Sequence, residues 1–185
     1  MTAAPIRCSW VNLKNPVYVK YHDEEWGRPL RDDQKLYELL ILESFQAGLS
    51  WECVLNKREN FRAAFDGFDI DKVMAYDEQK MQALAEDPGI IRNRRKIKSA
   101  VNNSRVFKAI VQEFGSFSHY LWSFTDHQVI REDFTQRTTS PLSDAISQDL
   151  KKRGMTFVGS TIIYSYLQAM GMINGHSHGC LWGKT

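Results

Sequence analysis

The sequence predicts an all-α domain of about eight to ten helices, on three observations. Strand signals are poor: no run of alternating β-branched residues occurs, and no Asn-Gly or Asp-Gly hairpin stands between such runs. Apolar residues recur at helical spacing instead. The segments that carry them open on Asp or Ser and close on Gly or Pro, which is the punctuation of helix ends.

Taken in order, Asp32 or Asp33 can cap a helix with Leu36, Leu39, Leu40 and Glu43 on one stripe. Ser50 can cap a short helix through Leu55. Asp69 precedes a helix from Ile70 to Tyr76, and Asp77 one from Glu78 to Glu86. Asp87-Pro88-Gly89 then stops the chain, because Pro breaks the hydrogen-bond ladder and Gly accepts positive φ. A long helix is expected from about Asn93 to Phe114, with Ile97, Val101, Val106, Ile110 and Val111 inward. Gly115-Ser116 separates it from a short helix, Phe117 to Phe124. Residues 125–140 read as a loop. Ser140-Pro141 opens a helix through Lys152 that Gly154 closes, and Gly159-Ser160 opens the last, through Met170.

The chain of 185 residues fits one domain or two small lobes sharing a core, and 43% apolar residues suffice to build it. A mean hydropathy of -0.42 and the lack of a long apolar run exclude a membrane helix. Met1 to Arg7 has no apolar core of a secretory signal. Three cysteines make no even disulfide framework, which fits a reducing cytoplasm. Cys53, among apolar neighbours, reads as core. A net charge of +2 implies no partner by itself. Its distribution says more: Arg92, Arg94, Arg95, Lys96 and Lys98 fall within seven residues.

Four groups of residues point to chemistry. Cys8 and His22 lie near the start, and His176 and Cys180 near the end. Two thiolates and two imidazoles are a common tetrahedral set for structural zinc. The spacing is not that of a zinc finger, and the alternative is Cys8 as a small buried hydrophobe with a disordered, His-containing tail. The turn Asp87-Pro88-Gly89-Ile90-Ile91-Arg92, followed by a basic helix start, makes a helix–hairpin–helix. Outward backbone N–H groups and a positive helix end favour a phosphate without reading bases. The alternative is an ordinary turn beside solvated arginines. Trp10, Tyr18, Tyr21, Trp26 and Trp51 are either core or flat faces for an extruded base. Glu43 falls on an apolar stripe, where a carboxylate must be paired or used. We expect it to be used, ionised and facing an extruded base; capping a helix or pairing with an Arg is the alternative.

Tyr21-His22-Asp23-Glu24-Glu25-Trp26-Gly27, Gln46-Ala47-Gly48-Leu49-Ser50-Trp51, Gly89-Ile90-Ile91-Arg92, and Lys151-Lys152-Arg153-Gly154 with Phe157-Val158-Gly159 together resemble the bacterial 3-methyladenine DNA glycosylase I (TAG) family. The likeness runs from Cys8 to Cys180. It implies a helix–hairpin–helix glycosylase fold over 1–185, in two helical lobes, with zinc-binding segments 1–25 and 172–185. The implied zinc ligands are Cys8, His22, His176 and Cys180; His178 does not match the family pattern. The family's pocket maps onto Glu43 for hydrogen bonding to the adenine edge. Tyr21 and Trp51 fall at its stacking faces, with Tyr18 and Trp10 beside them. Gln46, Gly48 and Leu49 fall where the family wedges the duplex open. Gly89, Ile91, Arg92, Arg95 and Lys96 are the expected backbone contacts.

Two departures from the wider superfamily stand out. Ile91 occupies the place of its second hairpin Gly, and no Asp follows between Arg105 and Phe114. The family resembled here also lacks that Asp. The implied activity is hydrolytic release of 3-methyladenine from alkylated double-stranded DNA by a monomer, with no lyase step. A methylated adenine is cationic and a good leaving group, so little acid–base catalysis is needed. Rival readings are a DNA-binding module without catalysis and a glycosylase for a 7-substituted guanine. A zinc hydrolase does not fit, since four protein ligands leave no open position.

Overall fold

Residues 5–132 and 137–184, which the computed structural model describes, form ten α-helices and one short pair of strands. In chain order the helices are α1 Pro16–Glu24, α2 Asp33–Gln46, α3 Trp51–Leu55, α4 Arg58–Ala64, α5 Ile70–Met74, α6 Glu78–Glu86, α7 Arg94–Phe114, α8 Phe117–Ser123, α9 Pro141–Lys152 and α10 Ser160–Ala169. Short 3-10 turns cover Asp66–Phe68 and Leu181–Lys184. The architecture is all-α, as expected. No helix among the described residues is long and apolar enough to cross a membrane.

The expected caps form. Asp32, Ser50, Asp69, Asp77, Ser116 and Ser140 each accept a backbone N–H of the first turn that follows. Asn93 caps α7 rather than starting it. The chain does contain Asp66-Gly67 and Asn174-Gly175, but neither turns a hairpin. Gly67 is the middle residue of a 3-10 turn, and Asn174 ends β2 Ile173–Asn174. That strand pairs in parallel with β1 Ile130–Arg131, in register Ile130 with Ile173. The segment expected to be loop, residues 125–140, thus carries one strand; residues 133–136 lie outside the described residues, as do 1–4 and 185 of the expected metal segments.

Two helices were not anticipated. α1 is capped by Asn15, with Pro16 at its first position. α4 is held by Arg58, which donates to Glu38 at 2.6 Å and to Glu25 at 2.7 Å, tying α4 to α2 and to the end of α1.

α2 is the central element. Ten of its residues, Leu36 through Phe45, are buried in succession, and it packs against α3, α7, α8 and α10. A helix buried on every side belongs inside a fold. Two buried hydroxyls around it are paired: Tyr37 shares a hydrogen bond with Ser104 at 2.5 Å, and Tyr166 donates to Leu36 O at 3.1 Å. The inner face of α7 is Ile97, Ala100, Val101, Ser104, Phe107 and Ile110. Val106 and Val111, expected inward, are only half-buried, because Phe107 takes the inner position and stacks on Phe117 at 4.0 Å between centroids.

Candidate active site and metal centre

α1 places two sites at once. Tyr18, Tyr21 and His22 stand three and four residues apart, so they share one inward side of the helix. Tyr18 and Tyr21 line a cavity of about 320 Å³, and His22 points the other way along the fold, to Cys180.

The cavity is walled by Trp10, Tyr18, Tyr21, Trp26 and Trp51, with Glu43 and Gln46 from the last turn of α2. Sequence reasoning missed four further wall residues: Arg137 and Thr138 before α9, and Ser165 and Gln168 on α10. Ser165 and Gln168 are three apart on one helix, but nothing in their composition marks a site. Tyr21 and Trp51 have centroids 5.4 Å apart at 48°, and Trp10 and Tyr18 lie 5.4 Å apart at 54°. A flat ring slotted between two others needs about 7 Å, twice an ordinary contact distance. Tyr21 and Trp51 therefore touch in this structure and form one wall rather than two open jaws.

Glu43 is 2% exposed, and its Oε2 has no hydrogen-bond partner. The buried indole N–H of Trp51 has none either. Burial pushes the Glu43 carboxyl well above the usual carboxylate range. Burial thus favours the protonated carboxyl, whereas the expected ionised form needs a positive charge beside it. The same burial raises the Tyr18 hydroxyl to about 12, helped by Glu52 and Glu43, and drives Tyr21 up as well, with Glu43 the next cause. Glu43 thus lies within electrostatic reach of both rings.

The segment expected to wedge the duplex is a turn between α2 and α3. Leu49 N–H donates to Gln46 O at 2.6 Å; Gly48 takes φ 79 with open space where a Cβ would stand. Leu49 is 41% exposed beside the cavity residue Gln46, an unusual place for an apolar side chain.

The hairpin runs from α6 to α7. Its carbonyls are turned inward: Lys57 donates to Pro88 O and Gly89 O, both at 3.3 Å, and Asn60 to Gly89 O at 3.2 Å. The Gly89 N–H is not free, since it donates to Asp87 Oδ1 at 2.7 Å. Among the described residues no acceptor is found for the N–H groups of Ile91 and Arg92. These, with the exposed Arg92, Arg94 and Arg95, form the surface a phosphate could meet. Lys96 departs from the expectation. It is 6% exposed and its ammonium is bound to Phe45 O and Ala47 O, so it is turned away from that surface.

Cys8, His22, His176 and Cys180 come together at the junction of the two chain ends. All four are buried, and one ligand atom from each lies within 4.8 Å of the others. Cys8 Sγ and Cys180 Sγ are each 3.5 Å from His176 Nδ1, and Cys180 Sγ is 3.6 Å from His22 Nε2. A tetrahedron with zinc–ligand bonds of about 2.0–2.3 Å has edges of roughly 3.3–3.8 Å, so these distances fit one ion. The outer partners fit too: His22 Nδ1 bonds Asp23 at 2.8 Å, Arg7 grips Asp23, and Ser177 N–H donates to Cys8 Sγ at 3.3 Å. Burial lowers the pKa of His176 to about 4 and that of His22 as well, keeping both rings neutral, as ligands must be. His178 is exposed and outside the group.

Pocket and Cys/His group share a wall. Trp10 packs on His22 at 5.3 Å between centroids, and Trp26 on His176 at 4.6 Å, edge to face. Gly27 makes the close approach possible: it has φ 75, and a Cβ there would stand 2.7 Å from His176 Nε2.

The family model described as methyladenine glycosylase matches residues 10–183. DNA-3-methyladenine glycosylase 1 of Escherichia coli K12 is 47% identical over 181 residues, covering 94% of this chain and 95% of that protein. A solved structure of 3-methyladenine DNA glycosylase I (TAG) superposes with a TM-score of 0.91 at 45% identity, covering 95% of this chain and 98% of its own. A second, a tyrosine-to-phenylalanine variant of 3-methyladenine DNA glycosylase I in complex with 3-methyladenine, gives a TM-score of 0.91 at 34% identity and 97% coverage of both. With the pocket, the hairpin and the Cys/His group all in one helical fold, this chain belongs to the methyladenine glycosylase family.

Proposed function

We propose that this protein is a base-excision repair glycosylase that hydrolyses the N-glycosidic bond of 3-methyladenine in alkylated DNA. The observation that carries the reading is Glu43: a buried carboxyl with an unpartnered oxygen, facing a cavity walled by aromatic rings. A buried polar atom without a partner is costly unless a ligand completes it. An adenine edge offers the donor. Methylation at the 3 position makes the base cationic, so its entry supplies the opposite charge that lets Glu43 ionise. Ring faces add cation–π attraction that neutral adenine lacks. The base then leaves readily, and water takes its place on the sugar. Glu43 is the catalytic residue in this scheme, and Tyr21, Trp51, Tyr18 and Trp10 form the face the base packs against.

The substrate is duplex DNA. Arg92 and Arg95, with the N–H groups of Ile91 and Arg92 beyond Gly89, hold its phosphates, and Gln46, Gly48 and Leu49 enter the gap left by the flipped nucleotide. The protein acts as a cytoplasmic monomer, one domain over 1–185. Zinc is the metal for Cys8, His22, His176 and Cys180; with four protein ligands it braces segments 1–25 and 172–185 and leaves no position for substrate.

The test is to incubate the protein with methylated duplex DNA and identify the released bases by chromatography. Release of 3-methyladenine with no strand cleavage is expected. Release of only 7-methylguanine would change the substrate, and no release would reduce the protein to a DNA-binding module.

A further inference from the structure

Of the five basic residues between Arg92 and Lys98, only Lys96 is buried. Its ammonium donates to Phe45 O at 2.7 Å and to Ala47 O at 2.6 Å. Both carbonyls lie at the C-terminal end of α2, where a helix leaves its last C=O groups without intrahelical partners. α2 has no basic residue in its own last turn. Lys96, from the first turn of α7, thus supplies the cation that a helix C-terminus favours.

The contact joins two working parts. On one side, the last turn of α2 carries Glu43 and continues through Gln46, Gly48 and Leu49 to Trp51. On the other, α7 begins directly after the hairpin, and Arg92 of the hairpin and Arg94 and Arg95 of α7 are exposed to solvent. An apolar side chain of similar length would fill the same space without burying a charge. What the lysine adds is a fixed polar bridge, 49 to 51 residues apart in sequence, between the phosphate-facing hairpin and the turn beside the pocket.

We infer that Lys96 is a positioning residue for base extrusion. It locks the Gln46–Leu49 turn and the end of α2 to the start of α7, so that the hairpin's hold on the backbone fixes where the pocket meets the duplex. Misplacing reacting groups by a fraction of a helix turn is enough to slow a reaction strongly. The inference rests on the glycosylase reading above.

Lys96→Met keeps the apolar stem and removes the donors; Lys96→Arg keeps charge and donors. The kcat and KM for base release are measured on methylated duplex and on methylated single strands, with binding of free 3-methyladenine followed by tryptophan fluorescence. K96M should lose roughly tenfold or more in kcat on duplex, since it removes both charged hydrogen bonds and the loss of one alone implies about tenfold. Single-strand release and free-base binding should change by less than about twofold, the scatter of independent sites. K96R should restore most of the duplex rate. Equal losses on both substrates would make Lys96 a general structural group, and an unchanged duplex rate would remove any role; either overturns the inference. If K96M fails to fold, K96Q, which keeps an N–H donor but no charge, carries the same comparison. A wild-type protein that releases no 3-methyladenine defeats the function itself, a different outcome from a K96M that matches an active wild type.

Discussion

Glu43 sits where the folded protein is worse off for having it. Its pKa is raised by burial, so folding retains a proton that the unfolded chain would release. The sign follows: Glu43's contribution is fully present below the ordinary carboxylate range and is lost as pH rises through its raised folded value. Glu43→Gln has no proton to lose, so its melting temperature should match the wild type near pH 4 and exceed it at alkaline pH. Base release should fall at the same time, by roughly tenfold or more, since a hydrogen bond to a charged group contributes ~1.5–3 kcal/mol. A variant that is slower yet more stable marks a carboxyl kept for binding; one that melts lower at every pH marks a structural partner. Glu43 was legible because a carboxylate stood on an apolar stripe. Lys96 was hidden in a run of surface charges, although it is in phase with Ala100, Asn103 and Phe107 on the inner face of α7. Ser165, Gln168, Arg137 and Thr138 left no trace in the sequence, because they reach the pocket only when α10 and the segment before α9 close over α1 and α2.

At the scale of elements, the hairpin between α6 and α7 separates into an inner and an outer side. Lys57 and Asn60 hold its carbonyls inward, which leaves the N–H groups of Ile91 and Arg92 and the exposed guanidinium of Arg92 outward. Arg92→Ala should therefore weaken binding to every duplex alike and lower the salt slope by about one unit, read from Kd at several salt concentrations. Unchanged affinity and slope would make the basic cluster a solvated face. Elements were legible where an Asp or Ser cap preceded a Leu- or Ile-rich stripe, as for α2, α7 and α9. α1 went unread although Asn15-Pro16 is a helix start, because its inner residues are Tyr18, Tyr21 and His22 rather than aliphatic. β1 was unreadable for another reason: a two-residue strand exists only through its partner, and that partner lies near residue 173.

At the scale of the whole molecule, the Cys/His group joins residues 168 apart, Cys8 to His176. Closing a loop of that length in the unfolded chain is worth about 5 kcal/mol by the chain-entropy estimate. Cys180→Ser should lose the metal, lower the melting temperature and weaken base binding, since Trp10 and Trp26 rest on the two histidines. Zinc content by elemental analysis checks the first; one zinc per chain retained in the variant would take Cys180 out of the ligand set. With the metal in place the polypeptide is topologically a ring. Leu181 N–H even donates to Ile6 O at 3.0 Å, just outside the ligands. Most chains begin to open by fraying at a terminus. Such a ring confines fraying to the segments outside Cys8 and Cys180, so it cannot spread from either end into the wall of the pocket that Trp10 and Trp26 form.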